Sequence, residues 1–357
     1  MIQKGKVNYL IDGQWGSTGK GKLAGYLYSQ GGIDIAISDN MPNAGHTFTK
    51  DGKDFILKAL PTGCLFDGMI NLIGPQAVLG EEQFQYEMEM IKNDLGHYPE
   101  VYIHPLACIV TGGDKVNEQA IVSQMASTGQ GSCSATTKKM WRKGEANLAR
   151  DSKFLESHVR DTHEILHNYL HQGKTALSEG SQGFDLSLNC GHAYPHVTSR
   201  DCLIGRMMDN AGCSVKDVGS IIASLRSFPI RVGSTDNTSG PYYDDQQELD
   251  WGYISEKCGY SVEEKTTVTQ RVRRVFTFSE TQTRKFCHYV RPDYAFLNFV
   301  NYYKDNTERA EFITGVASLL GEYDCDLRLL GTGADLNDMV ETSSEQILSG
   351  QKELFSA

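Results

Sequence analysis

Short apolar runs, each closed by a polar residue or a glycine, recur along this chain and alternate with longer amphipathic stretches. KVNYLID (6–12) is an apolar strand that meets Gly13, and TGKGKLAGYLYSQG (18–31) follows with helix formers up to Gly31 and Gly32. Strand, loop and helix is the order this pattern predicts. IDIAISDN (33–40) is a second short strand, leading into the polar loop MPNAGHT (41–47). VYIHPLACIV (101–110) reads as a buried strand pair, or as one strand with a proline-made edge. The strongest helical period lies in 151–173. There Leu155, Val159, Thr162, Leu166 and Tyr169 step by four and three, with Asp151 or Ser152 as cap and Gly173 as stop. KTALSE (174–179), the buried SIIASLRSFPIRVG (220–233), DYAFLNFVNYY (293–303) and CDLRLLG (325–331) continue the series. Strands alternating with helices predict an α/β fold: a mostly parallel sheet covered on both faces, with ligand loops at the carboxyl ends of its strands.

Composition narrows the function more than the fold. The 357 residues are 39% hydrophobic and 22% charged, the balance of an ordinary soluble protein, read here as a single domain with inserted loops over 1–357. A net charge of −11 argues against nucleic acid as a partner, although QRVRRVF (270–276) gives a local basic run for phosphates or carboxylates. No stretch approaches 18 apolar residues, so no membrane span is expected. Nine cysteines with no C-x-x-C pair, and no secretory leader pattern, point to a reducing cytoplasm and unpaired thiols.

The loops hold the candidate chemistry. GQWGSTGKGK (13–22) resembles a triphosphate loop yet departs from G-x-x-x-x-G-K-[ST]: Gln14 stands where the first glycine belongs, and Gly21 replaces the hydroxyl after Lys20. Gly13, Gly16, Gly19 and Gly21 let the backbone approach an anion at a helix start, and Lys20 and Lys22 supply charge. PNAGHT (42–47) offers the Asn43 amide, a close carbonyl at Gly45, and His46 as acid or base, against the plainer alternative of a solvated histidine. STGQGS (127–132), SEGSQG (178–183) and GTGAD (331–335) are glycine and hydroxyl loops suited to phosphate or sugar. His163, His167 and His171 form a helical stripe that a metal could use, but no fourth ligand stands out, and a solvated face is expected instead. Ser17 has no G-x-S-x-G around it, so it is not read as a hydrolase nucleophile.

Taken in order, these loops resemble those of adenylosuccinate synthetase. The family's Gln-Trp-Gly-Asp-Glu-Gly-Lys-Gly-Lys stands here as QWGSTGKGK (14–22), and its Asn-Ala-Gly-His-Thr is intact at 43–47. Its Glu-Gly-Ala-Gln-Gly becomes EGSQG (179–183), its Tyr-Pro-x-Val-Thr-Ser is YPHVTS (194–199), and its threonine- and arginine-rich loop resembles TTVTQRVRR (266–274). The resemblance implies a ligase: a nucleoside triphosphate phosphorylates the 6-oxo group of a purine monophosphate, and L-aspartate displaces that phosphate. It places Ser17, Thr18, Gly19, Lys20, Gly21, Gly45, His46, Thr47 and Gly333 on the triphosphate, with His46 and Lys20 stabilising the moving phosphoryl group. It gives Mg2+ to Ser17 and the Gly45 carbonyl. Ser17, Asn43, Thr128, Gln182, Thr198 and Arg271 would hold the monophosphate, joined by Arg142 or Lys143 from the mate of a homodimer. Thr267, Val268, Thr269, Gln270, Arg271, Val272 and Arg273 would close on the aspartate carboxylates, which suit a bidentate arginine.

Two departures redirect the substrate. The family's loop aspartate, which takes the N1 proton of hypoxanthine, is Ser17 here, and a hydroxyl is a base weaker by something like 10²-fold or more in effect. A smaller side chain leaves room for the 2-amino group of guanine. The family's guanine-reading Thr-Lys-x-Asp falls near FLNFVNYY (296–303) and keeps neither lysine nor aspartate, which disfavours GTP and favours ATP, with Asn298 or Asn301 nearby. Both changes are similar to a branch of the family found in bacteriophages whose DNA carries 2-aminoadenine. That branch joins aspartate to dGMP with ATP or dATP, here in the host cytoplasm if the source is viral. The alternatives are an ordinary synthetase acting on IMP, and a nucleotide-binding relative without ligase activity.

Overall fold

The computed structural model describes residues 1–50, 52–125, 127–233, 239–266 and 270–350. Its frame is a nine-stranded sheet: β1 (Val7–Asp12), β2 (Ile35–Ser38), β3 (Ile70–Ile73), β4 (Glu100–Ile103), β5 (Ala176–Glu179), β6 (Val218–Arg226), β7 (Tyr294–Asn298), β8 (Asp326–Gly331) and β9 (Met339–Glu341). The spatial order is β9-β8-β7-β6-β1-β5-β2-β3-β4. Every pairing is parallel except that of the short edge strand β9. A parallel strand is covered on both faces, which is why β1, β2 and β5 are buried along their whole length.

Helix α1 (Lys20–Ser29) lies against one face, with Leu23, Ala24 and Leu27 packed on Leu10, Ala36, Leu177, Ile222 and Phe296. It is buried almost all round, because the hairpin His46–Lys50/Lys53–Leu57 covers its outer side. That contact is backbone-close: a Cβ on Gly25 would stand 2.2 Å from the Phe48 ring. Helices Thr162–His171 and Ile204–Ala211 cover the opposite face through Leu166, Met207 and Ala211. Beyond β6, Glu280–Val290 and Asn306–Gly321 pack on Leu225, Ala295 and Leu297. A small antiparallel sheet of Ile230–Arg231, Arg274–Phe276 and Glu248–Leu249 stands beside them.

The segment 101–110 resolves into two strands, β4 and the short pair member Cys108–Ile109. The helix expected over 151–173 is shorter: it spans only Thr162–His171. Asp161 starts it by accepting from the His163 and Glu164 amides. The preceding residues satisfy a stronger demand. His158 O accepts from Ile103 N at 2.9 Å, and Arg160 N donates to Ile103 O at 3.1 Å, so they close the open edge of β4 instead. Helical period yielded to unpaired strand groups. No cysteine is paired, and six of the nine are buried. Among the described residues, no helix is long and apolar enough to cross a membrane.

Candidate active site

The first connection from β1 leads to β2 on one side, while β6, β7 and β8 build the other, so the strand order reverses beside β1. Ligand crevices form at such a point, outside the carboxyl ends of the strands. Five of those ends carry buried polar side chains: Asp12 on β1, Ser38 on β2, Glu179 on β5, Arg226 on β6 and Asn298 on β7. All but Ser38 organise the loops above them.

Asp12 shapes the nucleotide loop. Its Oδ1 accepts from the amides of Gln14 (2.9 Å) and Gly16 (3.2 Å), and its Oδ2 from the Thr18 hydroxyl (2.7 Å) and Lys20 Nζ (3.2 Å). Lys20 also donates to the Gln182 carbonyl at 2.8 Å. The turn runs through Ser17 at φ 57° and Gly19 at φ 92°, the left-handed region. Gly19 has a second reason to be glycine: a Cβ there would stand 2.0 Å from Asn298 Nδ2. Asn298 donates to the Thr18 carbonyl at 3.1 Å and is buried beneath the loop. The structure therefore shows Asn298 as a strut under the loop, while Asn301 donates to the Tyr260 hydroxyl at 2.7 Å. Thr18 is likewise turned inward, whereas the Ser17 side chain is exposed on the open side.

Gly21 opens α1 against the second loop, where a Cβ would meet the Thr47 carbonyl at 2.4 Å. That contact brings Gly45, His46 and Thr47 beside the start of the helix. His46 Nδ1 lies 3.5 Å from Glu179 Oε2. Glu179 also accepts from the Tyr28 hydroxyl (2.7 Å), the Thr62 hydroxyl (2.8 Å) and the Thr62 amide (3.0 Å). Burial pushes the Glu179 carboxyl up, but the donors from His46, Tyr28 and Thr62 together hold it below its ordinary value. A carboxylate fixed behind an imidazole orients the ring, leaving its far nitrogen for a ligand. The Gln182 amide donates to Asn43 Oδ1 at 3.3 Å, bringing two of the expected monophosphate contacts together. Lys22 points elsewhere: it donates to the Gly333 carbonyl at 2.7 Å, and burial lowers its ammonium to about 8.

The basic run is a narrow hairpin. Lys265 bridges Val272, Thr266 N donates to Arg271 O at 2.9 Å, and Arg271 N donates to the Thr266 hydroxyl at 3.0 Å. Arg271 and Val272 are exposed, as is Gln270, and Arg273 is half-buried. Thr267, Val268 and Thr269 lie outside the described residues. Thr128 and Thr198 are half-buried in their own loops, where Thr198 N donates to Leu186 O at 2.8 Å. Arg142 and Lys143 are exposed just past the helix Ser132–Trp141.

The histidine stripe is not the solvated face expected: His163 and His167 are half-buried and bonded, and only His171 is exposed. Nε2 of His163 and of His167 lies 3.1 and 2.9 Å from the carbonyls of Asn210 and Gly212, at the end of the helix Ile204–Ala211. Ligand atoms of His104, Asp161 and His163 do come within 4.8 Å of one another. Yet His104 Nδ1 accepts from Leu106 N, which leaves its proton on the other ring nitrogen, and Asp161 is the helix cap. Burial and the His163 ring keep His104 neutral, lowered to about 4.

Residues 9–154 and 145–300 match the family model for adenylosuccinate synthetase. The chain belongs to the adenylosuccinate synthetase family. Among its relatives, the N6-succino-2-amino-2'-deoxyadenylate synthase of Vibrio phage phiVC8 is 37% identical over 93% of this chain and 97% of its own length. The archaeal adenylosuccinate synthetase of Methanocaldococcus jannaschii is 26% identical over 94% of this chain and 96% of its own. In structure, the cyanophage S-2L succinoaminodeoxyadenylate synthetase (PurZ), solved with dGMP and dATP as an energy donor, superposes with a TM-score of 0.84. It is 28% identical and covers 99% of this chain and 100% of that one.

Four residues of this synthetase site escape a motif search: Asp12, Glu179 as the partner of His46, Arg226, and Glu264, whose carboxylate meets the Arg226 guanidinium. The first three share a signal that was available. Each is the single charged residue at the end of an otherwise uncharged strand segment, VNYLID, ALSE and SIIASLR.

Proposed function

We propose that this synthetase joins L-aspartate to C6 of dGMP at the expense of ATP or dATP, giving N6-succino-2-amino-2'-deoxyadenylate, ADP or dADP, and phosphate. The observation that carries the reading is Ser17. It stands at the position of the family's acidic residue, its side chain is exposed on the open side of the loop, and its backbone is held from below. A short side chain leaves space at the purine's N1 and C2 edge for an amino group and offers it an acceptor. The similarity to two phage enzymes of that name and substrate supports the same reading.

The residues divide the work as follows. Lys20 and the amides of Gly19 and Gly21 hold the triphosphate at the start of α1, where backbone N–H groups and the helix dipole favour an anion. The 6-oxygen of guanine attacks the γ-phosphorus, the bond to the β-phosphate oxygen breaks, and N1 gives up its proton to a water oriented by the Ser17 hydroxyl, or to that hydroxyl, and from there to solvent. His46, oriented by Glu179, and Lys20 stabilise the charge on the phosphoryl group as it moves. The aspartate amine then adds to C6, and the 6-oxygen leaves with the phosphate. Arg271 and Arg273 hold the aspartate carboxylates, and Asn43, Gln182, Thr128 and Thr198 the monophosphate. The Ser17 hydroxyl and Gly45 carbonyl are hard oxygen donors, the type magnesium accepts alongside phosphate oxygens. Magnesium bound there would supply charge neutralisation between the phosphates. Arg142 or Lys143 serves the site of a second copy, a role favoured by the exposed Met140 and Trp141 beside them.

The test crosses dGMP or IMP with ATP, dATP or GTP and follows aspartate-dependent phosphate release. Turnover confined to dGMP with an adenine triphosphate is expected. Turnover with IMP and GTP would overturn the reading. Ser17→Asp should diminish use of dGMP and raise use of IMP.

A further inference from the structure

Arg226 joins two parts of the site that are distant in sequence, and we propose that it is a positioning residue that sets the arginine hairpin against the nucleotide loop. The proposal rests on the reading of that hairpin as the aspartate side of the site.

On the nucleotide side Arg226 is tied three times. Its amide donates to Gln14 Oε1 at 3.0 Å, its carbonyl accepts from Gln14 Nε2 at 3.1 Å, and its Nη1 donates to the Ser17 carbonyl at 2.9 Å. Ser17 is the non-glycine residue of this loop in the left-handed region, so this bond to its carbonyl holds the backbone conformation in which the serine is exposed. On the hairpin side the same guanidinium makes a forked contact with Glu264, through Nη1 at 3.2 Å and through Nη2 to Oε1. Tyr302 donates to Glu264 Oε1 at 3.0 Å from a third direction. Glu264 lies at the hairpin neck: its carbonyl accepts from the Arg273 amide at 2.9 Å, one residue before the Lys265–Val272 bridge.

The chemistry favours arginine over any other cation here. The guanidinium is fully buried, with its flat face 4.1 Å from the Phe299 ring centre. Only a planar fork can reach one carbonyl and two carboxylate oxygens from a stacked position, and lysine cannot reproduce it. A buried pair of this kind adds little net stability once desolvation is counted, but it fixes geometry. What it fixes here is the distance between the residue facing the purine and the arginines facing the incoming amino acid.

The experiment compares wild type with Arg226→Lys and with Glu264→Gln, which keep the charge or the shape and so favour retention of the fold. In each variant KM for aspartate should rise about tenfold or more, the loss of one or two charge-assisted bonds, while KM for ATP changes less than threefold. A second readout needs no turnover. Adding ATP and dGMP to wild type should slow hydrogen exchange at the Thr266 and Arg271 amides, and this slowing should vanish in both variants while slowing at Gly19 and Gly21 persists. Equal slowing of the hairpin amides in wild type and variants, or an unchanged KM for aspartate beside a lowered Tm, would show a merely structural residue. Wild type that turns over IMP in place of dGMP would sink the substrate reading alone, and the KM comparison would then be read on IMP.

Discussion

Replacing Asp12 by asparagine isolates what the buried carboxylate does for the nucleotide loop. The carboxylate meets two amides with one oxygen, and a hydroxyl and an ammonium with the other. A carboxamide has one acceptor oxygen and one NH2. If the oxygen stays with the Gln14 and Gly16 amides, the NH2 faces Lys20, whose buried ammonium then lacks its counter-charge. Leaving one partner of a buried ion pair costs about 3–5 kcal/mol. With about 2.1 cal/mol/K of unfolding entropy per residue, this chain gains roughly 750 cal/mol/K on melting, so Tm should fall by about 4–7 °C. A triphosphate held by Lys20, as proposed, would return negative charge to it, so saturating ATP should recover most of the loss. The ATP-induced rise in Tm is then several degrees larger in the variant than in wild type, and ATP binds the variant more tightly. Thermal melts with and without ATP measure both quantities. An equal ATP shift in the two proteins, or an unchanged Tm without ATP, would refute Asp12 as the partner that holds Lys20.

Three further outcomes are expected. Gly21→Ala would place a Cβ 2.4 Å from the Thr47 carbonyl, push that carbonyl away and displace His46, lowering turnover by roughly 10²-fold with circular dichroism unchanged. Glu179→Gln removes the charge behind His46 while leaving an acceptor for Tyr28 or Thr62, so kcat should fall by about 10²-fold with KM for ATP little changed. His104 is held down to about 4 from 6.5 by burial and by His163, so the unfolded chain takes up this proton first as pH falls. Stability should therefore drop by about 3 kcal/mol between pH 6.5 and 4, and His104→Gln should lack that part of the slope in urea unfolding.

Much of the frame was legible because parallel strands advertise themselves. VNYLID, IAIS, ALSE and YAFLN are short, apolar and closed by turns, and each is a strand of the central sheet. Residues 151–161 were misread because the apolar step of Leu155 and Val159 also suits residues crossing a strand edge. Period alone does not record that Ile103 lacks partners. Motif spacing brought out the loops at 13–22, 43–47 and 179–183, which do converge on one crevice. Asn298 was expected near the adenine, while its amide supports the loop from below, an inward orientation that no spacing encodes. Arg226 and Glu264 were invisible as a pair, being 38 residues apart with no shared pattern.

The two margins of the sheet have a consequence for assembly. One ends in β9, a three-residue strand of reversed direction, and at the other Ile103 already exchanges both its backbone groups with residues 158 and 160. Among the described residues, neither rim presents a long free run of donors and acceptors on which a second molecule could continue the ladder. Pairing of copies through an extended sheet is thereby disfavoured, which leaves helices and loops as the surfaces open to another molecule.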